Sequence, residues 1–272
     1  MSKTSIEWTE KVWNPIAGCS IVSPGCTNCY AMPIAARLER MQPDGHYRGL
    51  TKHVKFNPVW TGKIARAPDH IFNAPLKWRK PTRVFVNSMS DLFHEDVPDE
   101  WIEEIFSVIA RCPQHKFQIL TKRPERMRTY MLGLGYVLNG AWKRYVPANA
   151  WLGVSVEDQA RADERIPLLL ETPAAVRFVS AEPLLGSLDL KKYLTRRRIV
   201  DSAGDVDDDW PQKILDWVIV GGESGPGKRP VDMDWMRAIK DDCKSAGVPV
   251  FIKQIDKVIH IPDDLMIREF PE

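Results

Sequence analysis

Six short apolar runs, each closing on polar residues, set the strongest limit on the fold. They are Arg83-Val-Phe-Val-Asn-Ser-Met-Ser-Asp, Lys116-Phe-Gln-Ile-Leu-Thr-Lys-Arg, Trp151-Leu-Gly-Val-Ser-Val-Glu, Val176-Arg-Phe-Val-Ser-Ala-Glu-Pro, Trp217-Val-Ile-Val-Gly-Gly-Glu-Ser and Val248-Pro-Val-Phe-Ile-Lys-Gln. Helix-period patterns lie between them at 99–111, 124–132, 159–170 and 233–246, the first with Asp99 placed to cap it. Continuous apolar strands alternating with amphipathic helices imply right-handed β-α-β units on a parallel sheet. The expected fold is α/β, a partial or irregular (β/α) barrel of the TIM type, as one domain over 1–272. Two stretches break the rhythm: an irregular insertion at about 43–76, expected as a lid or short hairpin, and a charged insertion at about 188–212. In such a barrel the polar strand ends share one mouth, where catalytic groups collect; they are also the residues that reach solvent.

Ahead of this rhythm, three of the five cysteines fall within eleven residues, in Trp13-Asn-Pro-Ile-Ala-Gly-Cys-Ser-Ile-Val-Ser-Pro-Gly-Cys-Thr-Asn-Cys-Tyr30. The two-residue spacer between Cys26 and Cys29 lets both sulfurs face one metal centre, and the Pro24-Gly25 turn can fold Cys19 back towards them. A helix at 31–41 follows, with Ile34, Leu38 and Met41 on one face and Pro33 tolerated in its first turn. A closed zinc site needs four protein ligands, and no histidine precedes His46. Three cysteines on a four-iron cluster leave one iron open for a small molecule, the arrangement of radical S-adenosylmethionine (SAM) enzymes. Zinc with a distant fourth ligand (His46, His53 or His94) and unliganded thiols remain open alternatives. Cys112 and Cys243 read as small buried hydrophobes on helix ends.

The Trp-Asn-Pro-Ile-x-Gly-Cys opening and the Ser-Pro-Gly-Cys-x-x-Cys-Tyr-Ala continuation resemble the phage-associated three-cysteine-motif family, uncharacterised proteins similar to radical SAM enzymes. Spore photoproduct lyase is among the nearer comparisons. One departure is that six residues, not three, separate Cys19 from Cys26. The resemblance implies a barrel of the radical SAM kind, a [4Fe-4S] cluster on Cys19, Cys26 and Cys29, reductive cleavage of SAM, an external electron donor and a partner protein encoded nearby. It also implies that Ser90, Asp91, Lys122 and Ser155 line the cofactor pocket. On chemical grounds Lys122 can pair with the methionine carboxylate, Ser155 can donate to it, and Asp91 or Glu223 can accept from a ribose hydroxyl or the ammonium. Glu182 and Ser224, at later strand ends, complete the candidate set. Tyr30, Met89, Phe93 and Trp151 are candidate apolar walls for a site that must exclude water.

A net charge of +2 carries no global field for nucleic acid. A nucleic acid or nucleotide substrate is expected from the resemblance and from local basic segments at 77–80, 122–128 and 196–198. A zinc-stabilised nucleic-acid-binding module and a non-catalytic phage accessory protein are the competing classes. No apolar run near the N-terminus resembles a signal peptide, and nothing approaches a membrane span. The expected location is the cytoplasm, with reduced thiols rather than disulfides.

Overall fold

The computed structural model describes residues 4–138, 141–144, 146–195, 214–225 and 227–271. The elements in order are β1 (Lys11–Trp13), β2 (Ile16–Ala17), α1 (Ala31–Met41), β3 (Thr51–Val54), β4 (Asn57–Trp60), β5 (Ala65–Arg66) and α2 (Asp69–Phe72). Then come β6 (Arg83–Val86), α3 (Asp99–Ala110), β7 (Lys116–Thr121), α4 (Pro124–Gly133), β8 (Gly135–Leu138), β9 (Ala141–Arg144), β10 (Ala150–Ser155) and α5 (Gln159–Glu171). The chain closes with β11 (Val176–Ala181), α6 (Lys191–Leu194), β12 (Trp217–Gly221), α7 (Met233–Ala246) and β13 (Val250–Gln254).

Strands β1, β6, β7, β10, β11, β12 and β13 form one parallel sheet in chain order. The sheet curls into a half-barrel flanked by helices. Trp8 demonstrates the curl, since its ring lies 4.7 Å from Phe85 on β6 and 6.4 Å from Trp217 on β12, four strands further round. All six expected strands are present, and the cysteine unit contributes the seventh, β1. The 43–76 insertion holds the hairpin β3–β4 together with β5 and α2. Of the charged insertion, residues 196–213 lie outside the described residues. No described helix is long and apolar enough to cross a membrane.

Period-2 alternation along each strand explains how one sheet makes both a core and a site. On β10, Leu152 and Val154 face the helices and join the main core, whereas Trp151 faces the concave side and packs with Phe178, Trp217 and Phe251. Two residues on, Gly153 takes the same side, and two further, Ser155 reaches a cavity. Concave positions therefore change from aromatic to polar along the strand direction: Phe178, Ser180, Glu182 on β11; Trp217, Ile219, Gly221, Glu223 on β12; Phe251, Lys253 on β13. The half-barrel has an aromatic floor and a polar mouth.

Gly153 is required by that floor. A Cβ there would stand 2.6 Å from the Phe178 ring, closer than two carbons can approach. Gly153→Ala is expected to destabilise by about 1–3 kcal/mol through overpacking, read as a lower urea midpoint with an unchanged slope.

One local expectation is corrected. Pro98, not Asp99, occupies the cap position of α3, and Asp99 makes no capping bond. Its carboxylate instead accepts from Arg126 at 2.6 Å. Two other helix caps are side-chain caps from Asp158 and Asp232.

Candidate functional site

The cysteine loop crosses the polar mouth and is pinned to four strand ends. At β6, Gly18 N–H donates to the Met89 carbonyl at 3.1 Å and Tyr30 Oη donates to the Ser88 carbonyl at 3.1 Å. At β7, the Arg123 guanidinium donates to Ser20 Oγ at 2.6 Å. At β10, Gly25 N–H donates to Glu157 Oε1 at 3.3 Å, and Glu157 is itself buried against Arg165 at 3.2 Å. At β12, Asn28 Nδ2 donates to Glu223 Oε2 at 2.9 Å. Gly18 suits its place twice over, with φ of 97° and a would-be Cβ only 2.1 Å from the Lys63 carbonyl oxygen.

Between loop and strand ends lies a cavity of about 220 Å³. Cys19, Cys26 and Cys29 all line it, together with Trp8, Trp60 and Phe85 as apolar walls. The three thiols are free and half-buried. Burial pushes the Cys19 thiol up to about 12, Asp91 adds to the rise, and Arg123, whose Nη1 lies 3.9 Å from the sulfur, opposes it. Burial likewise raises the Cys29 thiol, opposed by the Ala31 N–H and the Lys122 ammonium. Metal binding here must expel thiol protons. Among the described residues, no three His, Cys, Asp or Glu side chains stand close enough together to hold a single metal ion. His94 is spent structurally: Nδ1 accepts from Asp96 N–H, which leaves Nε2 to donate to Ser20 Oγ at 2.9 Å.

All seven non-cysteine candidates from the sequence line this cavity, and they divide by chemistry. Asp91 has both oxygens engaged, Oδ1 by Thr121 Oγ1 and Phe93 N–H, Oδ2 by Lys122 N–H and Arg123 Nη1. Glu223 accepts from Asn28 and from Arg229, whose Nη2 also donates to the Pro24 carbonyl. Both carboxylates are thus braces for the cysteine loop rather than free acceptors for a ribose or ammonium. Burial would raise the Glu223 carboxyl, but Arg229 and Asn28 outweigh it and hold it below the ordinary range. Ser90 Oγ donates to the Ile16 carbonyl. Glu182 accepts from Trp8 Nε1 at 3.1 Å and pairs with Lys253 at 2.8 Å. Lys122, Ser155 and Ser224 carry polar atoms to the cavity without an ion-pair partner among the described residues.

Of the expected walls, Tyr30 lines the cavity, but Met89, Phe93 and Trp151 do not. Phe93 faces the helices in the main core, Met89 packs beneath α1, and Trp151 belongs to the floor. Trp8, Asn28, Arg123 and Lys253 are site residues whose roles only the fold discloses. Asn87, Gln118 and Gln254 keep buried amide atoms without a partner around the concave interior, a cost of about 1–3 kcal/mol each unless a bound polar group meets them.

Glu223→Ala is expected to strip Arg229 of its carboxylate, to leave Asn28 only the Gly227 carbonyl, and to loosen the cysteine loop. Proteolysis of the native protein should then cut between Cys19 and Cys29 at least about fivefold faster, for a loss of roughly 1–3 kcal/mol in local stability.

The family model described as protein of unknown function (DUF5131) matches residues 3–263. No curated protein and no solved structure matches the chain.

Proposed function

The chain belongs to the DUF5131 family of proteins of unknown function, and we propose that it is a radical SAM-type enzyme. In this reading Cys19, Cys26 and Cys29 hold a [4Fe-4S] cluster, and SAM occupies the cavity beside them. The carrying observation is that three thiols and the polar ends of six strands line one cavity.

When bound, the group held by Cys19, Cys26 and Cys29 would supply one-electron reductive chemistry towards SAM. The chain's own residues then act as follows. Arg123 beside Cys19 and Lys122 beside Cys29 offset the negative charge of the thiolates. Lys122 offers an ammonium to the methionine carboxylate, and Ser155 and Ser224 offer hydroxyls. Asp91 holds the Lys122 backbone N–H, and Glu223 holds the cysteine loop through Asn28 and Arg229. The unpartnered Nδ2 and Oδ1 of Asn87 and Oε1 of Gln254 suit the polar edges of an adenosyl group. The aromatic floor excludes water from below, as radical chemistry requires.

The proposed substrate is a nucleic acid or nucleotide, the reductant an external electron donor, and the setting the cytoplasm. Of the basic segments, 122–128 lends that substrate little support, because Arg123, Arg126 and Arg128 are each paired with carboxylates; Lys77, Arg79 and Lys80 have no carboxylate partner among the described residues, and 196–198 lies outside them.

The test is anaerobic reconstitution with iron and sulfide, followed by reduction with SAM. The expected result is a brown protein that releases 5′-deoxyadenosine. A colourless protein that takes up zinc with equal stoichiometry and cleaves no SAM would instead establish the binding-module alternative.

A further inference from the structure

Between Asp44 and Asp69 the chain carries no Asp or Glu, yet it holds Arg48, Lys52, Lys55, Lys63 and Arg66. Arg48 and Arg66 pair back to acids at the segment's ends. Lys52, Lys55 and Lys63 have no carboxylate partner among the described residues. In a protein of net charge +2 this is a concentrated positive surface. It is built on the β3–β4 hairpin, which starts at the cysteine site: Trp60 lines the cavity, and Gly62 N–H donates to the Cys19 carbonyl at 3.2 Å.

The tip of this hairpin defies ordinary turn chemistry. Lys55 and Phe56 form its two-residue turn with φ of 46° and 70°, a geometry that favours Asn-Gly and is strained for bulky residues. Phe56 is 98 % exposed. Neither the strain nor the exposure helps folding, so both point to an external partner. A ring open to solvent on both faces, flanked by unpaired lysines, has the chemistry of a stacking platform for unpaired bases with phosphates alongside.

We propose that the β3–β4 hairpin binds single-stranded nucleic acid, with Phe56 stacking on a base and Lys52 and Lys55 contacting phosphates. Four residues of strand separate Phe56 from Trp60, about 14 Å. That spans roughly four stacked nucleotides at 3.4 Å each, so a strand gripped at the tip can deliver a nucleotide to the cavity. The proposal deepens the substrate class of the reading above and rests on that reading only for what happens in the cavity.

The experiment is fluorescence anisotropy of the full chain with a short fluorescein-labelled oligothymidylate. Phe56→Ala is expected to raise Kd roughly 5- to 100-fold, and Lys55→Ala to reduce the salt slope by about 0.7. The double variant Lys55→Asn/Phe56→Gly installs the favoured turn, so it should melt higher than wild type while binding at least as poorly as Phe56→Ala. Wild-type affinity in that double variant would overturn the proposal. So would preference for a duplex of the same sequence, or binding to anionic vesicles with none to the oligonucleotide. The two readings fail separately: oligonucleotide binding without SAM cleavage sinks only the cofactor assignment, and cleavage without binding sinks only the hairpin.

Discussion

Cys26→Ala is expected to abolish 5′-deoxyadenosine formation and to lower cluster iron in the reconstituted protein. The loss should exceed the roughly 10- to 100-fold that removing an outer partner of a metal ligand costs. Three thiols rim the cavity, and no nearby histidine can substitute, because the ring nitrogens of His94 are committed to Asp96 and Ser20. The effect should be chemical rather than structural. Cys26 is half-buried in a single turn, and the nearest polar contact of its sulfur is Ser23 Oγ at 3.9 Å. The apo variant should therefore melt within about 0.5 kcal/mol of wild type. Cys243→Ala is the informative contrast: it opens a small hole in the main core, costs stability, and retains iron. Equal SAM cleavage by Cys26→Ala and wild type would end the radical SAM reading.

Glu157→Ala is expected to cost about 3–5 kcal/mol, because it strands the Arg165 guanidinium in the core. The two side chains are 0 % and 2 % exposed and meet at 3.2 Å. Arg165 also donates to the Ser155 carbonyl, so it cannot swing out to water without breaking the end of β10. For a chain of this size the change corresponds to a fall in melting midpoint of roughly 10 °C. Arg165→Met in the same background should recover most of the loss, since an apolar replacement of a buried pair is often neutral. Recovery will not extend to the cysteine loop, because Gly25 N–H loses its acceptor in both variants. Iron uptake should thus stay impaired after the melting midpoint returns. A fully additive double variant would show that the pair is not coupled.

Sequence reading reached the parallel sheet because buried strands are continuous apolar runs and each is followed by turn residues. The limits of α1 and α7 agree to the residue, helped by the αL glycine at Gly247 that ends α7. The β8–β9 hairpin was not anticipated, although Asn139-Gly140 between its strands is a strong hairpin signal. At the site, polar strand ends were legible as a group, and almost all of them reach the cavity rather than bulk solvent. What spacing could not convey is which carboxylate is free. Asp91 and Glu223 look like ligands in one dimension, and only the fold supplies the Arg123 and Arg229 partners that occupy them. Nor could periodicity place Trp8, whose indole lies outside any strand yet spans the concave face to Glu182.

The aromatic floor has one further consequence. With Trp8, Trp151, Phe178, Trp217 and Phe251 packed across the base of the half-barrel, the chamber is closed from below and its doorway lies at the polar mouth. A long polymer seated across that doorway would trap whatever small fragments form behind it. On the proposed function, turnover would then be governed by how fast the polymer lets go.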